Sequence, residues 1–306
     1  MENSAAIAVQ SVPPRLGLVC ITASERVRFR TLTRKRLLQH DGPARRRLLA
    51  DLYAENLRRL GLAIDFCVEH GLRLYRMNAA LFPFADEPEG WAVLEERTTE
   101  LAAVGRRLSA QGIRMVVHPD QYVVLSSDSP TVVANSIRVL ATFARLFDRF
   151  GLPESPWAAI EIHGGKSERP VRLIEVIGDL DPAIRHRLCL ENDEYGYSAP
   201  EILAVCRATG VPMVFDAHHH LIHEGLTSYD DPSVAHFLSE ARTTWPDPDW
   251  QLVHISNGNA GLRDRTHSNL ITVMPESFRQ APWIEVEAKG KEDAIWKLHR
   301  EWLGQS

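Results

Sequence analysis

Residues Arg187–His220 read RLCLENDEYGYSAPEILAVCRATGVPMVFDAHHH. The apolar run Arg187–Leu190 stops at Glu191, and a polar loop follows. Ser198 is an N-cap candidate, and Pro200 suits the first turn of a helix over Ala199–Thr209. Gly210 separates that helix from a second apolar run, Val211–Phe215, which stops at Asp216. Strand, helix and strand in this order, with each strand ending in a carboxylate, are one βαβ unit.

The same pattern recurs in both directions. Ile113–Val117 ends in His118, and Trp157–Ile162, which contains Glu161, ends in His163. Leu252–Val253 ends in His254, and Pro282–Val286 ends in Glu287. Earlier strands are read at Leu16–Ile21 and Leu72–Met77. Helices are read at Ala44–His70, Gly90–Gln111, Pro130–Phe150, Val171–Leu180, Ser233–Arg242 and Glu292–Leu303, and Leu262–Gln280 as a loop with a short helix. Regular alternation implies a parallel sheet. About eight units, with no linker between them, favour a closed (β/α)₈ TIM barrel over 15–306. In such barrels the site lies at the C-terminal ends of the strands, where these charged residues fall.

Composition narrows the function classes. The chain has 306 residues, 44% hydrophobic and 25% charged, with a net charge of −5, unlike a protein that coats DNA. A basic run nevertheless lies between Arg26 and Arg47, and includes Arg28 and Arg30. Such a patch attracts phosphates locally. No apolar stretch approaches the ~20 residues that span a bilayer. Met1–Pro14 lacks the basic start and apolar centre of a signal peptide and reads as a loosely ordered arm. The four cysteines form no CxxC pair and read as small buried hydrophobes in a reducing cytoplasm. Nothing requires an obligate protein partner.

Buried carboxylates and imidazoles are costly unless paired or bound to metal. Their repetition at strand ends points to one shared metal site. The candidate ligands are His118, His163, Glu191, Asp216, His219, His254, His267 and Glu287. Imidazole with carboxylate suits manganese or zinc, with magnesium as a further option, and the absence of thiolates argues against a purely structural zinc. Eight ligands exceed one tetrahedral ion, so two or three divalent ions are expected. Ions clustered in this way activate water and stabilise a leaving oxygen. In Asp216-Ala-His-His-His220 the candidate ligand is His219; His218 and His220 are read as packing. Gly164 and Gly165 are read as room for substrate, with Lys166 placed for a phosphate.

The residues then become recognisable. The chain resembles the UV damage endonucleases, metal-dependent DNA-repair enzymes on a TIM barrel and distant relatives of endonuclease IV. The resemblance runs from about Arg15 to Trp302. It rests on Leu74-Tyr-Arg-Met with Leu81-Phe-Pro-Phe-Ala85, His118-Pro-Asp-Gln-Tyr122, Ile162-His-Gly-Gly-Lys166, Leu190-Glu-Asn-Asp193, Asp216–His220, His254-Ile-Ser256, His267-Ser268 and Glu287–Glu292. It implies nicking of damaged double-stranded DNA immediately 5′ of a UV photoproduct. It also implies the eight ligands above, and Gln121 and Tyr122 as a pair probing the lesion; Glu191 and Lys166 are read as the catalytic residues. Arg26, Arg28 and Arg30 are expected to track phosphates.

Two positions depart from the family. Where relatives carry a carboxylated lysine, this chain has Leu252, which points inward like His254 and cannot ligate. Where they carry a histidine after Phe-Pro-Phe-Ala, it has Asp86 and Glu87, read as possible replacement ligands. The expectation is a two-metal core around Glu191 with a weaker third ion. An abasic-site endonuclease, a sugar isomerase and a non-catalytic lesion-binding protein are the alternatives.

Overall fold

The computed structural model describes residues 13–305. Of the expected N-terminal arm, all but Pro13 and Pro14 lies outside them. Eight parallel strands close in sequence order into a barrel. They are β1 (Arg15–Val19), β2 (Leu74–Met77), β3 (Arg114–Val117), β4 (Ile160–His163), β5 (Leu188–Glu191), β6 (Met213–Asp216), β7 (Leu252–Ile255) and β8 (Trp283–Val286). Closure comes from β1 on β8, with Leu16 beside Ile284. The helices are α1 (Arg34–Leu37), α2 (Gly42–Glu69), α3 (Pro88–Glu95), α4 (Thr98–Ala110), α5 (Pro130–Phe150), α6 (Pro170–Gly178), α7 (Pro182–Arg185), α8 (Ala199–Thr209), α9 (Ala217–His223), α10 (Pro232–Arg242) and α11 (Glu292–Glu301). No helix among the described residues is long and apolar enough to cross a membrane.

One reading changes. The single helix expected over Gly90–Gln111 is two, because the turn between α3 and α4 uses side chains that compete with the helical ladder. Thr98 donates to the Glu95 carbonyl at 2.7 Å, and Arg97 donates to Ala50 of α2 at 2.9 Å. Residues after Asp216 form α9, with Asp216 as its N-cap. The stretch 262–280 is, as expected, a loop closed by one short helical turn, the 3₁₀ turn Glu276–Gln280. The α8 start follows expectation: the Ser198 backbone N–H donates to Glu201 at 2.8 Å, half of a capping box.

Strand alternation builds two cores. Outward residues such as Leu18, Tyr75, Met115, Ile162, Phe215 and Ile284 pack against the helices. Inward residues Leu74, Val116, Ala159, Cys189, Val214, Leu252 and Trp283 fill the barrel. Arg114 plugs its lower end, fully buried. Its guanidinium donates to the carbonyls of Trp157, Trp250 and Pro156 at 2.8–3.0 Å and lies 5.0–5.5 Å from the ring centroids of Trp157, Trp245 and Trp283. Burial pulls its pKa down to about 10. Two residues further along the strands, the inward face turns from apolar to charged, and there the site begins.

Candidate metal centre

Register brings the charged strand ends together. His163 pairs with Glu191, and Asp216 pairs with His254. The Glu191 carboxylate is the hub. Its Oε2 faces His118 Nε2 at 2.9 Å and His163 Nε2 at 3.8 Å; its Oε1 faces His254 Nδ1 at 2.9 Å and His219 Nδ1 at 3.3 Å. Four imidazoles around both oxygens of one buried carboxylate form a bridging geometry.

Neighbouring groups set the rings. His118 Nδ1 lies 2.8 Å from the Pro119 carbonyl, so donation there turns the Nε2 lone pair inward. His219 Nδ1 lies 3.0 Å from the Asn192 carbonyl, and its Nε2 faces Glu194 at 3.7 Å. Asp216 divides its work. Oδ1 caps α9 by accepting the His218 and His219 N–H groups at 2.6 and 2.7 Å, while Oδ2 is buried without a partner. His163 Nδ1 is likewise unpartnered. His267 sits on the following loop, its Nε2 3.8 Å from Glu287 Oε2. Ion-sized groups arise at His118–His163–Glu191 and at Glu191–Asp216–His254. The orphaned Asp216 oxygen and the imidazole nitrogens turned to Glu191 are a donor set that suits divalent cations.

His218 and His220 do pack as expected. His218 Nδ1 takes the Tyr229 hydroxyl at 2.6 Å, and His220 Nε2 faces Ser233 at 2.9 Å. The metal centre opens into a cavity of about 390 Å³ that Gln121, Cys20 and Arg265 also line. Lys166 is exposed on an adjoining cavity with His118, His163 and Gln121. Tyr122 is 64% exposed on the same turn as Gln121.

Several expectations need correction. Asp86 and Glu87 do not reach the centre. Asp86 is held by Arg138 at 3.2 Å and Glu87 by Arg34, on the far side of an apolar cavity lined by Phe82, Phe84 and Tyr122. Arg26 pairs with Glu69 at 2.7 Å, at the end of α2 remote from the mouth. Arg28 donates to the Thr22 and Val27 carbonyls within its own loop. Arg30 stays exposed, while Arg45 and Arg46 pair with Glu89 and Glu96, so acidic partners take up part of the basic run. Gly164 is required by packing rather than by substrate: a Cβ there would lie 2.5 Å from Tyr197.

Sequence reasoning passed over Arg76, Glu161 and Glu285. All three point inward beside His254, and each stands two residues from a recognised strand position. The period-two rule used for Leu252 finds Glu161 from His163 and Glu285 from Glu287.

Charge coupling shapes the protonation of the centre. Burial alone would push Glu191 up, but the imidazoles of His254 and His163 hold it well below the usual carboxylate range. Burial would push His254 and His219 down; for His254 the carboxylate of Glu191, and for His219 those of Asp216 and Glu191, outweigh it and hold both well above the usual histidine value. Without metal, these raised imidazoles stabilise the fold below their unfolded-state pKa, and that stability is lost as pH rises through the folded value. Metal requires neutral rings, so binding releases protons and its affinity rises with pH. Calorimetric titration with Mn²⁺ in two buffers of different ionisation enthalpy is expected to show net proton release at pH 7. Zero release would contradict it.

An eight-stranded βα barrel with clustered imidazoles and carboxylates at its C-terminal mouth defines a class, the divalent-metal barrel enzymes. Comparison with known proteins narrows it. Residues 14–305 match the family model "UV-endonuclease UvdE". A UV DNA damage endonuclease of Nostoc sp. is 55% identical, over 96% of this chain and 92% of its own length. One from Deinococcus radiodurans is 46% identical, over 93% and 94%. The crystal structure of SacUVDE superposes with a TM-score of 0.76 at 26% identity, covering 96% of this chain and all of that one. Endonuclease IV from Thermus thermophilus shares the fold, with a TM-score of 0.58 at 18% identity, over 96% and 100%. The chain belongs to the UvdE family of UV endonucleases. It is a DNA endonuclease of UV-damage repair.

Proposed function

We propose that the chain hydrolyses duplex DNA immediately 5′ of UV photoproducts, pyrimidine dimers and 6-4 photoproducts, leaving a 3′-hydroxyl and a 5′-phosphate. It acts in the cytoplasm, with manganese as the first choice of metal and zinc or magnesium as alternatives. The observation that carries the reading is the Glu191 hub ringed by four imidazoles, beside the exposed pair Gln121–Tyr122. His118, His163, Glu191, Asp216, His219, His254, His267 and Glu287 are the proposed ligands. Divalent ions, when bound, supply Lewis acidity toward the phosphodiester and its attacking water.

The protein's residues do the rest. Glu191 holds the centre together through both oxygens. Pro119 and Asn192 lock the His118 and His219 rings, so little rearrangement is needed when substrate arrives. Lys166 offers a mobile cation to a phosphate at the mouth. Gln121 and Tyr122 stand clear of the surface and fill the gap that flipped bases leave in the duplex.

The deciding test is nicking of UV-irradiated plasmid, with EDTA and metal add-back. Cleavage is expected only on irradiated DNA, abolished by EDTA and restored best by Mn²⁺. Cleavage confined to abasic duplexes would overturn the reading. Tyr122→Ala is expected to lower the preference for irradiated over intact DNA by about tenfold, as base–aromatic stacking is worth ~1–3 kcal/mol. An unchanged ratio of the two nicking rates would remove Tyr122 from lesion probing.

A further inference from the structure

One layer beneath the Glu191 hub lies a second group of buried charges that the proposed reaction does not use. Glu161 on β4, His254 on β7 and Glu285 on β8 are each 0% exposed. One ligand atom from each falls within 4.8 Å of the others, close enough for one ion. His254 Nε2 lies 2.6 Å from Glu285 Oε2 and 3.3 Å from Glu161 Oε2. No donor is directed at either oxygen of Glu161. Two ionised carboxylates at this depth are costly unless a cation pairs with them.

The cation is already in the chain. Arg76 projects inward from β2, and its Nε donates to Glu285 Oε2 at 2.7 Å. Its Nη2 donates to both Glu285 and Glu287 and lies 3.2 Å from His254 Nε2. It thus touches two of the three corners of the inner pocket and ties that pocket to a carboxylate of the outer centre. A guanidinium stays charged at any working pH and cannot dissociate as a metal can. Leu252, two residues before His254 on β7, belongs to the apolar filling of the barrel.

The other two ion-sized groups, His118–His163–Glu191 and Glu191–Asp216–His254, meet at Glu191, whereas the inner group is the one into which Arg76 donates. We infer that Glu161, His254 and Glu285 form a third cation site whose cation is the Arg76 guanidinium, so that the chain takes up two divalent ions and not three. The inference rests on the proposal that the Glu191 centre binds divalent metal.

The test is metal stoichiometry, measured by elemental analysis and native mass spectrometry after loading with Mn²⁺ and dialysis. The wild-type chain is expected to retain two ions. Arg76→Met, which keeps bulk but no charge, is expected to gain a third, and adding Glu161→Gln is expected to return the count to two. Three ions in the wild type, or two in a folded Arg76→Met chain, overturns the inference. Should Arg76→Met fail to fold, Glu161→Gln alone decides: two ions support the inference, and one ion makes Glu161 a ligand of bound metal and overturns it. Nicking plays no part in this measurement, so a wrong count leaves the proposed function standing. A wild-type chain that takes up no metal overturns both.

Discussion

Glu191→Gln is expected to cut single-turnover nicking of UV-irradiated DNA by about 10²–10³-fold or more, the scale seen when one centre of transition-state stabilisation is removed. The substitution preserves shape and changes charge. Glu191 turns one oxygen to His118 and His163 and the other to His219 and His254. An amide can keep an acceptor toward only one of these pairs and presents N–H donors to the other. The single negative charge able to bridge two ions is lost as well. DNA affinity is expected to change by only a few-fold, because Gln121 and Tyr122 belong to the turn after β3 and do not lean on Glu191. Gel-shift binding alongside nicking separates the two effects. Full activity in the variant would end the role assigned to Glu191.

Gly105→Ala is expected to destabilise the fold by about 3 kcal/mol or more, at the upper end of the range for overpacking a close contact. Gly105 sits inside α4, where helix propensity alone forecasts a gain of roughly 1 kcal/mol for alanine. The structure reverses the sign. A Cβ at 105 would lie 1.5 Å from the Phe150 carbonyl oxygen and 2.5 Å from its carbon, both backbone atoms of α5. Neither can swing aside as a side chain would, so α4 and α5 must separate. Gly178→Ala, at the end of α6 with open space around its Cβ, is the control. Its effect is expected to stay within about 0.5 kcal/mol. Urea unfolding of both variants checks the pair, and a neutral Gly105→Ala would refute the close-approach argument.

The strands were legible because a fully buried parallel strand is a short apolar run, and each run here stops at a charged residue. The charged strand ends were legible for the same reason: His118, Glu191 and Asp216 are where the apolar pattern breaks, and the structure brings them together. Local chemistry misled wherever a side chain competed with the ladder. Thr98, donating to the Glu95 carbonyl, sits where one apparent helix divides into two. The acidic partners of the basic run after β1, Glu69, Glu87, Glu89 and Glu96, were not legible because they are distant in sequence.

By itself, the order of apolar runs and helices determined the eight-unit barrel, and the identity of the residues ending those runs determined a metal-dependent chemistry. Both follow from local periodicity and from the cost of burying charge, which a linear chain displays. Which charges meet was decided only by closure. Arg76 and Glu285 stand 209 residues apart and share a hydrogen bond because β1 joins β2 to β8. Closure also removed Asp86 and Glu87 from the centre, since the chain beyond β2 carries them outward to Arg138 and Arg34. Long-range register, set by the pairing of strands around the barrel, chose the partners that sequence spacing could not.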